Sequence, residues 1–361
     1  MAQHTEFRYE PDYAVPPGET LQETLDALGM TQVQLAGRTG LTPKTINLII
    51  KGTAPITPAT ALQLERVLGT PASFWNNREV QYREALARHN ETERLHEQIA
   101  WLKKIPYRDM AKLEWIDLVS DPAQQLREVL SFFGVASVEQ WETIWATPAA
   151  AYRSSAAFSS DPGAVAAWLR KGELVGQAIQ TRSYDASLFR EALDRARLLT
   201  TKSPDVFTRD LVAGCAEAGV AVAFVRELPR LRTSGATRWL SPTKALIQLS
   251  LRYKTDDQLW FTFFHEAAHI LLHGKRDLFL EGDGEKTAKE EEADRFAADK
   301  LIPPGAYRSF VAGPKVSSTA AITRFAGKMG IAPGIVVGRL QHDGQVQHTH
   351  FNGLKRRLMW A

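Results

Sequence analysis

The chain has 361 residues and a single cysteine, Cys215. It can form no internal disulfide, and a reducing compartment suits it. With no electropositive neighbours evident in the sequence, that thiol reads as a small buried apolar residue. No stretch reaches the roughly 18 uninterrupted apolar residues that a membrane helix needs. The opening, Met1-Ala2-Gln3-His4-Thr5-Glu6-Phe7-Arg8, lacks the apolar core of a secretory signal. Together these absences predict a cytoplasmic protein without a membrane partner. Neither an internal repeat nor a low-complexity linker is present. The net charge of +3 is too small to argue for or against nucleic acid. An apolar share of 44% with 24% charged residues is ordinary for a globular chain. Its length predicts two or three domains.

What is present is concentrated near residue 265. Asp256 to His273 is an apolar run without Gly or Pro, with Gly274 just beyond it. It reads as a buried helix, with Asp256 available to cap its start. Within it stands His265-Glu266-Ala267-Ala268-His269. Helical positions four apart share a face, so His265 and His269 can offer two imidazoles to one ion. Glu266 is placed to take a proton from water at that ion without being a ligand. This is the zinc-peptidase arrangement, and it predicts Zn2+ as cofactor. His273 continues the four-residue spacing and reads as structural, because three histidines on successive turns are too spread to share one ion.

A catalytic zinc site needs a third protein ligand. Lys289 to Ile302 reads as a second helix with an apolar stripe of Ala293, Phe296, Ala297 and Leu301, stopped by Pro303-Pro304. Glu290 is the first choice for that ligand, with Glu291 and Glu292 as rivals that spacing alone does not exclude. Asp294, four residues after Glu290, is placed to orient a ligating histidine.

The segment from Phe261 to Pro304 resembles the ImmA/IrrE family of zinc metallopeptidases. The resemblance rests on His265-Glu266-x-x-His269 with Ile270-Leu271-Leu272-His273. It continues through Glu290-x-x-Ala293-Asp294-x-Phe296-Ala297-x-x-x-Leu301-Ile302-Pro303. It implies His265, His269 and Glu290 as zinc ligands and Glu266 as general base. Asp294 stands where Asn or Asp is usual. Members of that family look like site-specific proteases that cleave DNA-binding repressors.

A second signal lies near the start. Thr31 to Gly52 reads as helix, tight turn, helix. Thr31 caps the first helix and Gly40 makes the turn. Thr42 caps the second helix, with Pro43 at its favoured first position. Leu35, Ala36, Ile46, Ile49 and Ile50 face the core. Lys44, Thr45 and Asn47 remain exposed near the N-terminus of the second helix, the end that enters the major groove in a helix-turn-helix. Gln32 is placed for a phosphate. The pattern resembles the XRE helix-turn-helix family, and Pro58 to Trp75 resembles its HigA antitoxin branch. That resemblance implies a homodimer on operator DNA. The alternative is an XRE-like fold that serves as a docking module.

Charge lends the alternative some weight. Residues 1–90 hold eight Lys or Arg against nine Asp or Glu, whereas DNA-binding domains usually show a basic footprint. Residues 315–361 hold seven basic residues against one acidic, with Lys355-Arg356-Arg357 among them. Such a run reads as a solvated basic tail.

Between the two signals the chain reads as helical. A charged helical connector spans residues 77–98. Asp121-Pro122 opens a helix ended by Gly134, Ser137 caps another through Trp145, Asp161-Pro162 opens a third, and Ser187 caps one to about Leu199. Trp115, Trp141, Trp145 and Trp168 read as core. After a helix through Ala218, Val220 to Val225 reads as a strand, and a hairpin turns at Ser241-Pro242. The edge of that sheet could bind an extended substrate. Helices over Ser317 to Met329 and Pro333 to His342 follow.

The expected fold is mainly α with a small β-sheet. It comprises a five-helix helix-turn-helix domain over residues 1–95, a helical middle over 96–205, and an α+β zincin-like domain over 206–361. The expected function is a DNA-binding regulator or antitoxin with a zinc endopeptidase that cleaves a repressor, an antitoxin or itself; a cognate toxin is a further expected partner. The rival is a non-catalytic antitoxin or transcription factor whose zinc domain is a sensor or scaffold.

Overall fold

A computed structural model describes residues 15–146, 161–274, 279–281, 287–313 and 318–360. By internal contacts the chain divides into two compact units, Met1–Ile99 and Ala100–Ala361. No single described helix is long and apolar enough to cross a membrane.

Among its described residues the first unit contains five helices: α1 (Pro17–Ala27), α2 (Gln32–Thr39), α3 (Pro43–Ile50), α4 (Pro58–Leu68) and α5 (Ala72–Gln98). Short-range signals set their ends. Thr31 accepts from the Gln34 backbone N–H while the Gln34 side chain accepts from Thr31 N, a reciprocal capping box. Gly40, with φ of 77°, closes α2 in the left-handed region that glycine adopts without a Cβ penalty. Thr42 and Thr57 cap α3 and α4, each followed by proline at the first helical position. The buried stripes of Leu21, Leu25, Leu35, Ile46, Ile49, Leu64 and Trp75 meet in one core. Residues 77–98 are helical as expected, but they continue α5 to a length of 27 residues instead of forming a separate connector. Buried Glu79 ties that helix to the loop before α4. It accepts from Ile56 N at 3.0 Å and pairs with Arg83 Nε at 2.7 Å.

The second unit opens with α6 (Tyr107–Lys112), α7 (Pro122–Phe133) and the short α8 (Val138–Trp141), which runs on as a wider turn to Ala146. Next come α9 (Pro162–Ala178), α10 (Ala186–Leu199) and α11 (Pro204–Ala216). Asp185, not Ser187, caps α10, accepting from the Ser187 and Leu188 N–H groups. From the N-cap the Asp185 carboxylate reaches two orphan donors, whereas Ser187 is already the second residue of the helix. Trp141, Trp145 and Trp168 are buried as expected. Trp115 is only half-buried and stacks on Phe132.

Strands β1 (Val220–Phe224), β2 (Gly235–Ser241), β3 (Lys244–Leu249) and β4 (Phe279–Glu281) form a sheet in the order β1-β3-β2-β4. The hairpin of β2 and β3 is antiparallel, and β1 runs parallel to β3. β4 pairs antiparallel with β2, so β2 is not an edge strand. Central β3 is buried on both faces. Ala245, Ile247 and Leu249 join the large core on one side. On the other side Gly176 of α9 lies so close to Leu246 that a Cβ would approach it to 2.8 Å. There Gln248 Nε2 also donates to the Trp168 carbonyl at 2.7 Å. Helix α9, from the stretch expected as a helical middle, therefore forms one layer over this sheet.

On the opposite face lies α12 (Asp256–Leu272), followed by α13 (Ala288–Leu301), α14 (Pro304–Val311), α15 (Thr319–Met329) and α16 (Pro333–His342). Thr255, not Asp256, is the N-cap of α12. Asp256 lies within the helix and accepts from the backbone N–H groups of Asp257 and Arg356. Pro303-Pro304 ends α13 but also starts α14, because the first turn of a helix has no use for the N–H that proline lacks. Ser318 caps α15, whose predicted start at Ser317 lies outside the described residues. The basic segment is not a solvated tail. Lys355 Nζ meets buried Asp257 at 2.6 Å, Arg357 bridges to Thr255, and Leu358 is buried.

Candidate metal centre and helix-turn-helix face

Helix α12 is apolar almost all round because it is enclosed between the sheet, α13 and α16. Every residue from Thr262 to Ile270 is buried. That burial fixes the rotamers of the two histidines, whose rings meet edge-on at 4.8 Å between centroids. Helix α13 crosses beside them, started by Thr287, whose hydroxyl accepts from Glu290 N. The cap places Glu290 in the first turn, facing α12.

His265, His269 and Glu290 converge. His265 Nε2 lies 3.1 Å from His269 Nε2 and 2.9 Å from Glu290 Oε2, and His269 Nε2 lies 3.6 Å from Glu290 Oε1. Ligands about 2.0–2.1 Å from a tetrahedral zinc sit roughly 3.3 Å from one another, so the donor triangle matches that ion in size and in chemistry. Burial alone would raise the Glu290 carboxyl, but hydrogen bonds from the two imidazoles outweigh it and hold the group at about 2. Burial lowers His269 against the raising effect of Glu290. Ionised carboxylate and neutral imidazole are the forms that bind metal.

Asp294 Oδ1 is 3.0 Å from His265 Nδ1, on the side of the ring away from the triangle. Glu291 is exposed, and Glu292 lies 3.2 Å from His273 Nε2; neither joins the triangle. Glu266 is wholly buried, and Thr237 Oγ1 of β2 donates to its carbonyl at 3.0 Å. Sequence reasoning missed the role of β2, whose Gly235 leaves room for the Glu266 side chain. An isolated glycine at the start of a strand was the available signal.

In the first unit, Lys44 and Asn47 are exposed on α3, as expected. Thr45 is half-buried, with its hydroxyl 2.8 Å from that of the cap residue Thr42. Gln32 does not project freely. Its Nε2 donates to Gln22 Oε1 of α1 at 2.9 Å. Cys215 is buried, and burial pushes its thiol up to about 12, which leaves it inert at neutral pH.

Comparison with known proteins supports both halves. Residues 21–75 match the helix-turn-helix family model, and residues 225–326 match the peptidase M78 model, described as the IrrE N-terminal-like domain. The chain is 33% identical over 61 residues to the uncharacterized HTH-type transcriptional regulator YddM of Escherichia coli K12, covering 17% of this chain and 65% of that protein. An addiction module antidote protein of the HigA family from Coxiella burnetii is 30% identical, covering 23% of this chain and 92% of that one, with a TM-score of 0.22. The Pseudomonas aeruginosa antitoxin HigA, solved with the higBA promoter, is 27% identical, covering 24% and 94%, also with a TM-score of 0.22. The chain thus joins an XRE-type helix-turn-helix domain to an IrrE N-terminal-like domain of the peptidase M78 type.

Proposed function

We propose that this protein is a cytoplasmic DNA-binding regulator, of transcriptional or antitoxin type, with a zinc-dependent endopeptidase domain. Its substrate class is protein: a repressor, an antitoxin or the chain itself. The observation that carries this reading is the donor triangle of His265, His269 and Glu290, with Glu266 next to the first ligand on the same helix.

In this reading His265, His269 and Glu290 hold the ion, which supplies Lewis acidity toward a scissile carbonyl. Glu266 accepts the proton of the attacking water and returns it to the leaving amine. Asp294 keeps the His265 ring in the tautomer whose Nε2 lone pair faces the site. In the first unit Lys44 and Asn47 read bases, Thr45 supports the start of α3, and Gln32 reaches a phosphate once released from Gln22. Exposed apolar side chains on α4 and α5 (Leu62, Phe74 and Val80) supply contacts for a homodimer. A cognate toxin would be a further partner.

A second reading, a sensor or scaffold without proteolysis, draws on one observation. Glu266 has no solvent exposure, and a general base must reach its water. The experiment that tests the leading reading is metal analysis of the full chain, followed by incubation with candidate repressors and antitoxins. Close to one zinc per chain and a discrete cleavage product are expected, and both should be lost in His269→Ala. Zinc retained by that variant rejects the ligand set; zinc lost without any cleavage by the wild type favours the sensor.

A further inference from the structure

The end of α12 carries a feature that the three-residue donor set does not use. His273 lies one turn beyond His269, and its Nδ1 is 2.8 Å from His269 Nδ1. On the other side of the same ring, His273 Nε2 is 3.2 Å from Glu292 Oε2. The His273 side chain is almost fully enclosed, with 4% exposure, while that of Glu292 is 56% exposed.

Only one assignment of protons satisfies this chain once a metal ion replaces the hydrogen bond from His269 Nε2 to Glu290 and that nitrogen presents its lone pair. His269 must then carry its proton on Nδ1 and donate it to His273 Nδ1. His273 accepts there only if its own proton is on Nε2, which donates to the Glu292 carboxylate. Each donor has an acceptor and each ring is neutral. His265 has the simpler counterpart, an Nδ1–H donated directly to Asp294.

We propose that His273 and Glu292 are positioning residues for the metal centre, forming a two-step relay that fixes the tautomer and ring orientation of His269. The inference rests on the zinc-site reading above and extends it. Helix α13 then serves the centre three times: Glu290 in the triangle, Asp294 behind His265, and Glu292 behind His273. The four-residue spacing of His265, His269 and His273 acquires a purpose without a third imidazole on the ion. Such outer partners typically change metal affinity about 10- to 100-fold when lost.

The test uses the full chain and zinc alone, measured by competition with a chromophoric chelator, with Co2+ absorption as a second readout of ligand geometry. His273→Ala should weaken zinc binding about 10- to 100-fold and alter the Co2+ spectrum. His273→Gln, whose amide oxygen can still accept from His269, should recover most of the affinity. Glu292→Ala should lose a smaller part, and the metal-free melting midpoint of each variant reports any general damage to the fold. Unchanged zinc affinity in His273→Ala, or a loss matched by metal-free destabilisation and not recovered by His273→Gln, overturns the relay. A wild type that binds no zinc overturns the metal-site reading instead, so the two failures are distinct.

Discussion

Gly235 at the start of β2 and Glu266 at the centre of α12 touch so closely that a Cβ on the glycine would lie 2.6 Å from Glu266 Oε1. The same carbon would lie 2.6 Å from Thr262 Cγ2. Gly235→Ala should therefore displace the Glu266 carboxylate and lower stability by about 1–3 kcal/mol, the usual range for overpacking a filled site. Zinc content should hold while cleavage falls. Full activity in this variant would show that the strand yields and that the contact does not position Glu266.

Glu266→Gln separates metal binding from proton transfer. The amide keeps the size of the side chain, so zinc, fold and DNA binding should persist. Loss of a general base typically lowers rate about 10²- to 10⁴-fold. Repression and substrate integrity, compared in cells carrying wild type or variant, are the readouts. Equal behaviour with every candidate substrate intact supports the sensor reading.

The exposed face of α3 predicts operator binding. Asn47→Ala should cost about 1–3 kcal/mol and relax preference at one base position. Gln32→Ala, which removes a phosphate contact, would instead weaken all sequences alike. Competition between specific and random duplexes distinguishes the two. A chain without preference for its own promoter at moderate salt would be read as a docking module.

Asp256 predicts a pH dependence of stability. Burial is the main cause that raises its carboxyl to about 6 from the ordinary 3.8, against the lowering effect of the Arg356 N–H. Folding therefore takes up a proton between those values, and stability falls as pH rises through the window. The cost is complete above pH 6 and amounts to about 2–3 kcal/mol. Asp256→Asn keeps an oxygen for the same two N–H donors. It should be more stable than wild type at pH 8, by an amount that shrinks toward pH 4. Denaturant titrations across that range check it, and parallel curves would remove Asp256 as the cause.

How legible was this protein? The helix-turn-helix could be read in detail because its limits are set by local chemistry: Thr31, Gly40, Thr42 and Pro43 act on neighbours a few residues away. His265, His269, Glu290 and Asp294 were legible for a related reason, since four-residue spacing on two helices leaves few ways to face one another. What escaped were relationships between distant segments. Nothing local marks Gly235 as the neighbour of Glu266, or Glu292 as the partner of His273. Asp185 displaced Ser187 as a cap because both residues suit the role and only the backbone path decides. The basic segment at 355–357 reads as a surface run until Asp257, 98 positions earlier, is found beneath Lys355.

That last contact bears on how the site is made. The start of α12 is held by Lys355 on Asp257, by the Arg356 N–H on Asp256, and by the Leu358 N–H on the Lys254 carbonyl. A ribosome delivers those groups about a hundred residues after the helix they secure. Until they arrive, two buried carboxylates lack their compensation, and the helix bearing His265 and Glu266 is unfinished at its N-terminal end. The donor triangle that this helix carries would thus stay incomplete during most of the chain's synthesis. Fragments cut at the limits of the family match, 225–326, would inherit the same immaturity.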